Sequence, residues 1–149
     1  MKKLFRIATG LLLLAGVLCT LSSCKKDSFS SKDLIGKWQI VRDIERYYVN
    51  GKLEDEGISD CDEPWMGLEF RSGGTGVVWN KNYVTKEIQI TWTMNKSTLS
   101  MVFDGGEEES VEITSLTSDR MVFMVFDEGT TEDGEHWREE EIYEFQKVK

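Results

Sequence analysis

The chain has 149 residues, 30% of them charged, with 27 acidic against 18 basic side chains and a net charge of −9. That length suits one domain with a short extension, and the negative excess repels phosphate backbones, which argues against a nucleic-acid partner. One histidine and three cysteines leave little material for zinc or disulfide chemistry.

The first 23 residues stand apart from the rest. Lys2, Lys3 and Arg6 precede an apolar run from Ile7 to Leu21, the arrangement of an export signal. Its leucine-rich stretch is too short to span comfortably a ~30 Å hydrocarbon core, which needs about 20 apolar residues. The run closes on Leu21-Ser22-Ser23-Cys24, which resembles the lipobox of bacterial lipoproteins. The resemblance implies removal of 1–23, lipid on Cys24 and a place in the bacterial envelope. Lys25 after the cysteine, in place of Asp, points to the outer membrane. Buried acyl chain contributes about 0.8 kcal/mol per CH₂ and one chain holds only marginally, so the several chains of a lipoprotein would anchor the domain without a protein span. With Lys2, Lys3 and Arg6 gone, the remaining 126 residues (24–149) carry a net charge of −12. Residues 24–30 read as a tether and 31–149 as the folded domain. Cys19 leaves with the signal and Cys24 is consumed. Cys61 then has no disulfide partner, and no nearby His or basic residue lowers its pKa, so it reads as inert.

Residues 31–35 make one helical turn with Ser30 or Ser31 as cap, stopped by Gly36. Beyond it the pattern is β. A first strand covers about 37–49 and ends at Asn50-Gly51, a strong hairpin signal. An acidic loop is expected over 54–64. Strands follow at 66–71, with Met66, Leu68 and Phe70 on one face, and at 75–80, carrying Val77 and Trp79. The segment 86–94 puts Ile88, Ile90, Trp92 and Met94 on one face, and 98–103 does the same with Leu99, Met101 and Phe103. Further strands are expected at 110–115, 120–127 and 138–147, with a loop over 128–136. These eight strands at short spacing, with no helical period for a crossover, predict an all-β, eight-stranded antiparallel up-and-down barrel. A sandwich is the alternative, though its Greek-key connections need longer links.

Gly36-Lys37-Trp38, placed just after a short helical turn, is similar to the Gly-x-Trp signature that opens the first strand of lipocalins. With the lipobox, with Phe70-Arg71-Ser72-Gly73-Gly74-Thr75-Gly76 and with the phrase from Ile113 to Phe123, the chain resembles the lipocalin-like lipoproteins of Bacteroidetes-type bacteria over about 31–148. The Thr-Asp-Tyr signature of the larger lipocalins is missing. The resemblance implies that Trp38 plugs the closed end beneath a basic residue of the last strand, Lys147 or, less well placed, Arg138.

An eight-stranded barrel is either filled by side chains or holds one small ligand. The candidate ligand contacts are Phe70, Trp79, Trp92, Met101, Phe103 and Phe123, an apolar lining that a filled core would equally contain. Arg42 and Arg46 share parity with Trp38, Ile40 and Ile44; in a regular strand they point inward and could grip a carboxylate head group, and a β-bulge would turn them out. The segment 121–126 is apolar on both faces, so its outer face needs cover from Phe29, Leu34 and Ile35 or from a protein partner. The acidic stretch 127–135 lacks the alternating oxygens of an EF-hand, and no cofactor or metal is expected. His136 has no nucleophile beside it, so a non-catalytic role is expected. The expected function is binding of a small apolar or amphiphilic ligand, or of an envelope protein as an accessory subunit.

Overall fold

Alternation with a period of two leaves extended pairing as the way to bury these apolar residues, and strands account for nearly all of the regular structure. The computed structural model describes residues 29–81 and 87–149. The signal segment, Cys24 and the tether up to residue 28 lie outside the described residues. Ser30 caps the one-turn helix α1 (Ser31–Leu34), its hydroxyl accepting from the Lys32 amide at 3.3 Å. The strands are β1 (Gly36–Val49), β2 (Lys52–Asp60), β3 (Met66–Arg71), β4 (Thr75–Asn80), β5 (Ile88–Asn95), β6 (Thr98–Phe103), β7 (Glu108–Leu116), β8 (Arg120–Thr130) and β9 (His136–Lys147). All pairings are antiparallel between neighbours, and β9 returns to β1, so β1 and β3 to β9 close an eight-stranded barrel.

The acidic segment expected as a loop is instead β2. Asn50 and Gly51, both at positive φ (50° and 79°), make the two-residue turn that suits strand twist. The chain then runs back along β1, where Arg46–Glu56 (2.7 Å) and Arg42–Asp60 (2.6 Å) pair across the ladder. The β8–β9 hairpin is likewise longer than expected, pairing out to Thr130 and His136.

The closed end is packed around Trp38, 1% exposed. Its indole N–H donates to the Leu34 carbonyl at 2.7 Å, and the Lys147 ammonium lies 4.9 Å from its ring centre and donates to the Asp33 carbonyl at 3.3 Å. Lys147 therefore fills the role the resemblance implied, while Arg138 stacks on Phe126 instead, 4.2 Å from that ring. Gly36 is required at the crossing: a Cβ there would meet the Lys147 Cε at 2.4 Å, and its φ of 136° disfavours other residues. Ile40, Leu68, Phe70, Leu99, Ile113, Met121, Phe123 and Phe145 complete this buried half. Leu34 and Phe29 pack into this interior cluster and Ile35 stays exposed, so the N-terminal turn stoppers the barrel rather than covering the outer face of β8 as expected.

Replacing the plug tests this arrangement. Trp38→Ala is expected to lower the unfolding free energy by about 3–5 kcal/mol, read as a shift of the urea midpoint.

Candidate functional site

Strand β1 decides which side chains reach the interior. Ile40 pairs with Phe145 and Arg42 with Glu144, so Val41 is an extra residue, a β-bulge that inverts the parity of everything after it. Trp38 and Ile40 face inward below the bulge; above it Asp43, Glu45 and Tyr47 do, opposite Tyr143, Glu141 and Glu139 of β9. Arg42 and Arg46 stand on the outer wall, and Arg42 is withdrawn as a ligand contact. It pairs with Asp60 and, at 3.9 Å, with Glu144, which Arg120 also holds at 2.7 Å. These residues border an outer groove of about 580 Å³ whose cations are already neutralised.

Trp79 is the second correction. Leu68 and Val78 face each other inside the barrel, so Gly67 and Trp79 face each other outside. The indole lies flat on Gly67, where a Cβ would come within 2.3 Å of the ring, and Lys81 sits 5.9 Å from the ring centre. Phe70, Trp92, Met101 and Phe123 are inside as expected, each below 8% exposed and packed on one another: Phe70 meets Trp92 edge-on at 5.4 Å, and the Trp92 indole donates to the Thr75 carbonyl. They form the filled half of the barrel. Phe103 is half-buried toward the other end.

That other end has a different lining. Trp65, on the β2–β3 connection, contacts Tyr143 edge-on at 6.4 Å, and Val125, Cys61 and Phe103 pack beside the core there. Among these apolar groups stand Asp43, Glu45, Glu139 and Glu141, with Glu109 on the inner face of β7 opposite the buried Met101. The Tyr143 hydroxyl donates to the Glu141 carboxylate. Burial raises the Tyr143 pKa, and the bond to Glu141 and the charges of Glu141, Asp43 and Glu45 raise it further. Burial also raises the Glu141 pKa; the Tyr143 hydroxyl opposes this and the charges of Glu139 and Glu45 add to it. Glu109 is pushed up to about 7, by burial first and by the charge of Glu107 second. Glu45 and Glu139 are solvent-exposed although they face inward, so this end is open to water. Among the described residues no three His, Cys, Asp or Glu side chains converge as a metal site. None of these carboxylates was singled out from sequence. The inward direction of Asp43 and Glu45 depends on the bulge at Val41, whereas Glu139 and Glu141 share parity with Tyr143 and Phe145, and Glu109 with Val111 and Ile113, along regular stretches of their own strands. The order Asp43-x-Glu45 opposite Glu139-x-Glu141-x-Tyr143 is the trace they leave.

A closed eight-stranded antiparallel barrel, plugged at one end and polar at the other, defines the lipocalin-like class of β-barrel. The chain belongs to the lipocalin-like domain family, whose profile matches residues 34–123. Two solved structures are similar: a lipocalin-like protein from Bacteroides uniformis (13% identity, 78% of this chain and 99% of that one, TM-score 0.47) and an uncharacterized protein from Bacteroides eggerthii (14%, 77% and 99%, TM-score 0.47). No curated protein matches.

The mouth carboxylates make stability depend on pH. A carboxyl whose folded pKa lies above its unfolded value binds the proton more tightly in the native state, so its contribution falls as pH rises between 4.5 and about 7. Glu109→Gln is therefore expected to melt above the wild type at pH 8, with the two melting temperatures converging below pH 4.5. Thermal melts across that range check it.

Proposed function

We propose that this chain is a lipid-anchored, non-catalytic binding protein of a bacterial envelope that takes an amphiphile at the open end of its barrel. The observation that carries the reading is the division of the interior into a packed apolar half and an open half where carboxylates stand among aromatic rings. Trp65, Tyr143 and Phe103 offer apolar contact for a short chain or ring, and Asp43, Glu45, Glu139 and Glu141 favour a cationic head group over a carboxylate. The charge of the preferred ligand is thus opposite to the one two inward arginines would have selected.

Lipid on Cys24 would put the anchor on the plugged side. α1 begins at Ser31 against the closed end, and seven residues from Cys24 reach at most about 25 Å. The mouth then faces away from the bilayer that holds the protein and exchanges ligand with water or with another surface. A second reading, an interaction subunit of an envelope complex, draws on the outer wall: the ladder row Ile58–Ile44–Ile142–Met124 is apolar, Ile58 is 57% exposed, and Phe126, one row above, is 53% exposed.

Tryptophan fluorescence titration with dodecyltrimethylammonium and with dodecanoate, both below their micelle concentrations, tests the head-group preference. The cation is expected to bind at least about tenfold more tightly, and the double variant Asp43→Asn, Glu141→Gln to remove the difference. Equal binding of the two amphiphiles, or binding of neither, overturns the reading. For the anchor, Cys24→Ser is expected to abolish palmitate labelling in a bacterial host and move the chain from the membrane to the soluble fraction. Retained label would place the lipid elsewhere.

A further inference from the structure

Strand β2 is nine residues long, and every one of them is exposed. It pairs with β1 alone; β3 and β4 close the barrel below it, and among the described residues no strand lies along its second edge. A strand with one edge facing water is a template for another chain. Proteins usually blunt such edges by making them short or by placing Lys or Pro in them. β2 exceeds the common five or six residues, contains no proline, and has one lysine, Lys52, at its first position. Its protection is of another kind, acidic side chains and a bulge that leaves Glu54 out of the ladder, and charge of one sign repels only a like-charged chain.

Its charge says what could add to it. Lys52 stands against Glu54, Asp55, Glu56 and Asp60, and Asp62 and Glu63 follow in the connection to β3. Glu54, Glu56 and Asp60 pair with Lys52, Arg46 and Arg42, all on β2 itself or on β1, the strand along its paired edge. Asp55 has no ion pair among the described residues, and its ladder partner is Tyr47. A second copy of β2 would bring a second excess of three negative charges alongside the first. A basic segment would neutralise both the strand and the carboxylates that follow it.

We propose that the free edge of β2 is a strand-addition site for an extended, basic polypeptide segment of a protein partner. The added segment would take main-chain hydrogen bonds from β2 and set alternate Lys or Arg side chains against Asp55 on one face and Glu56 and Asp60 on the other. This site stands on the sheet edge and is independent of the barrel mouth.

The test uses the full chain in detergent and three decapeptides: alternating Lys-Thr, the same peptide with alternate backbone nitrogens methylated (in both frames), and alternating Glu-Thr. The Lys-Thr peptide is expected to bind at least about tenfold more tightly than either control and to slow amide hydrogen exchange in β2. Asp55→Lys, at an exposed position, is expected to weaken it at least about fivefold. Equal affinity for the methylated peptide would reduce the effect to charge alone and overturn the proposal. So would no binding of the Lys-Thr peptide. Exchange protection, without peptide, of the β2 amides that point away from β1, constant or growing with protein concentration, would assign the edge to another part of this chain or to a second copy and overturn it as well.

Discussion

One extra residue in β1 decides which side chains of that strand reach the interior. β1 is paired along its length with β9 and cannot slide, since its lower half is held by β3 and its upper half by β2. Within that frame the bulge at Val41 is the one place where side-chain direction changes. Below it the strand contributes Trp38 and Ile40 to the core; above it the strand contributes Asp43 and Glu45 to the mouth and sends Arg42 and Arg46 outside. Without the bulge Arg42 and Arg46 would face Glu139 and Glu141 inside the barrel, and Asp43 and Glu45 would stand on the outer wall. A β-bulge is a local kink, but in a closed barrel it decides which charges of its strand face inward.

The lower half of the barrel serves as a fixed base. Trp38 is held by a hydrogen bond to Leu34 and by Lys147 crossing over Gly36, so α1, β1 and β9 lock together at one point. The large rings of Phe70, Trp92, Phe123 and Phe145 then fill the interior above the plug. In the upper half burial raises the pKa of Glu109 and Glu141, with the charge of Glu107 adding to the first and those of Glu139 and Glu45 to the second. Carboxylates kept partly desolvated beside aromatic rings cost stability that a bound cation would offset.

The outer wall has its own balance. β8 is apolar on both faces because it sits between β7 and β9 and contributes Val122, Met124 and Phe126 to a strip continued by Ile142, Ile44 and Ile58. Ion pairs of Arg42 and Arg46 occupy the ladder rows on either side, and Arg138 lies over Phe126. Long basic side chains that lie along apolar surface cover it while keeping their charge in water. Asp60 and Glu56, which pair with Arg42 and Arg46, come from β2 and tie the exposed strand to the wall it borders.

Much of this architecture was legible in the chain. Clean alternation at 88–94 and 98–103, turns such as Asn50-Gly51, and Gly36-Lys37-Trp38 after a helical turn define the strands, their antiparallel order and the plug, since each is written in neighbouring residues. Residues 54–60 were unreadable as a strand, because an acidic segment forms one only when Arg42 and Arg46 lie opposite. Trp79 reads as inward from sequence because 75–80 is apolar at both parities, but Gly67 across the ladder makes the space that takes the indole outside. The sequence alone determined that eight strands would close around Trp38. Tertiary structure alone decided which side chains face the interior, because bulge position and cross-strand partners depend on contacts between residues about a hundred positions apart, such as Ile40 with Phe145.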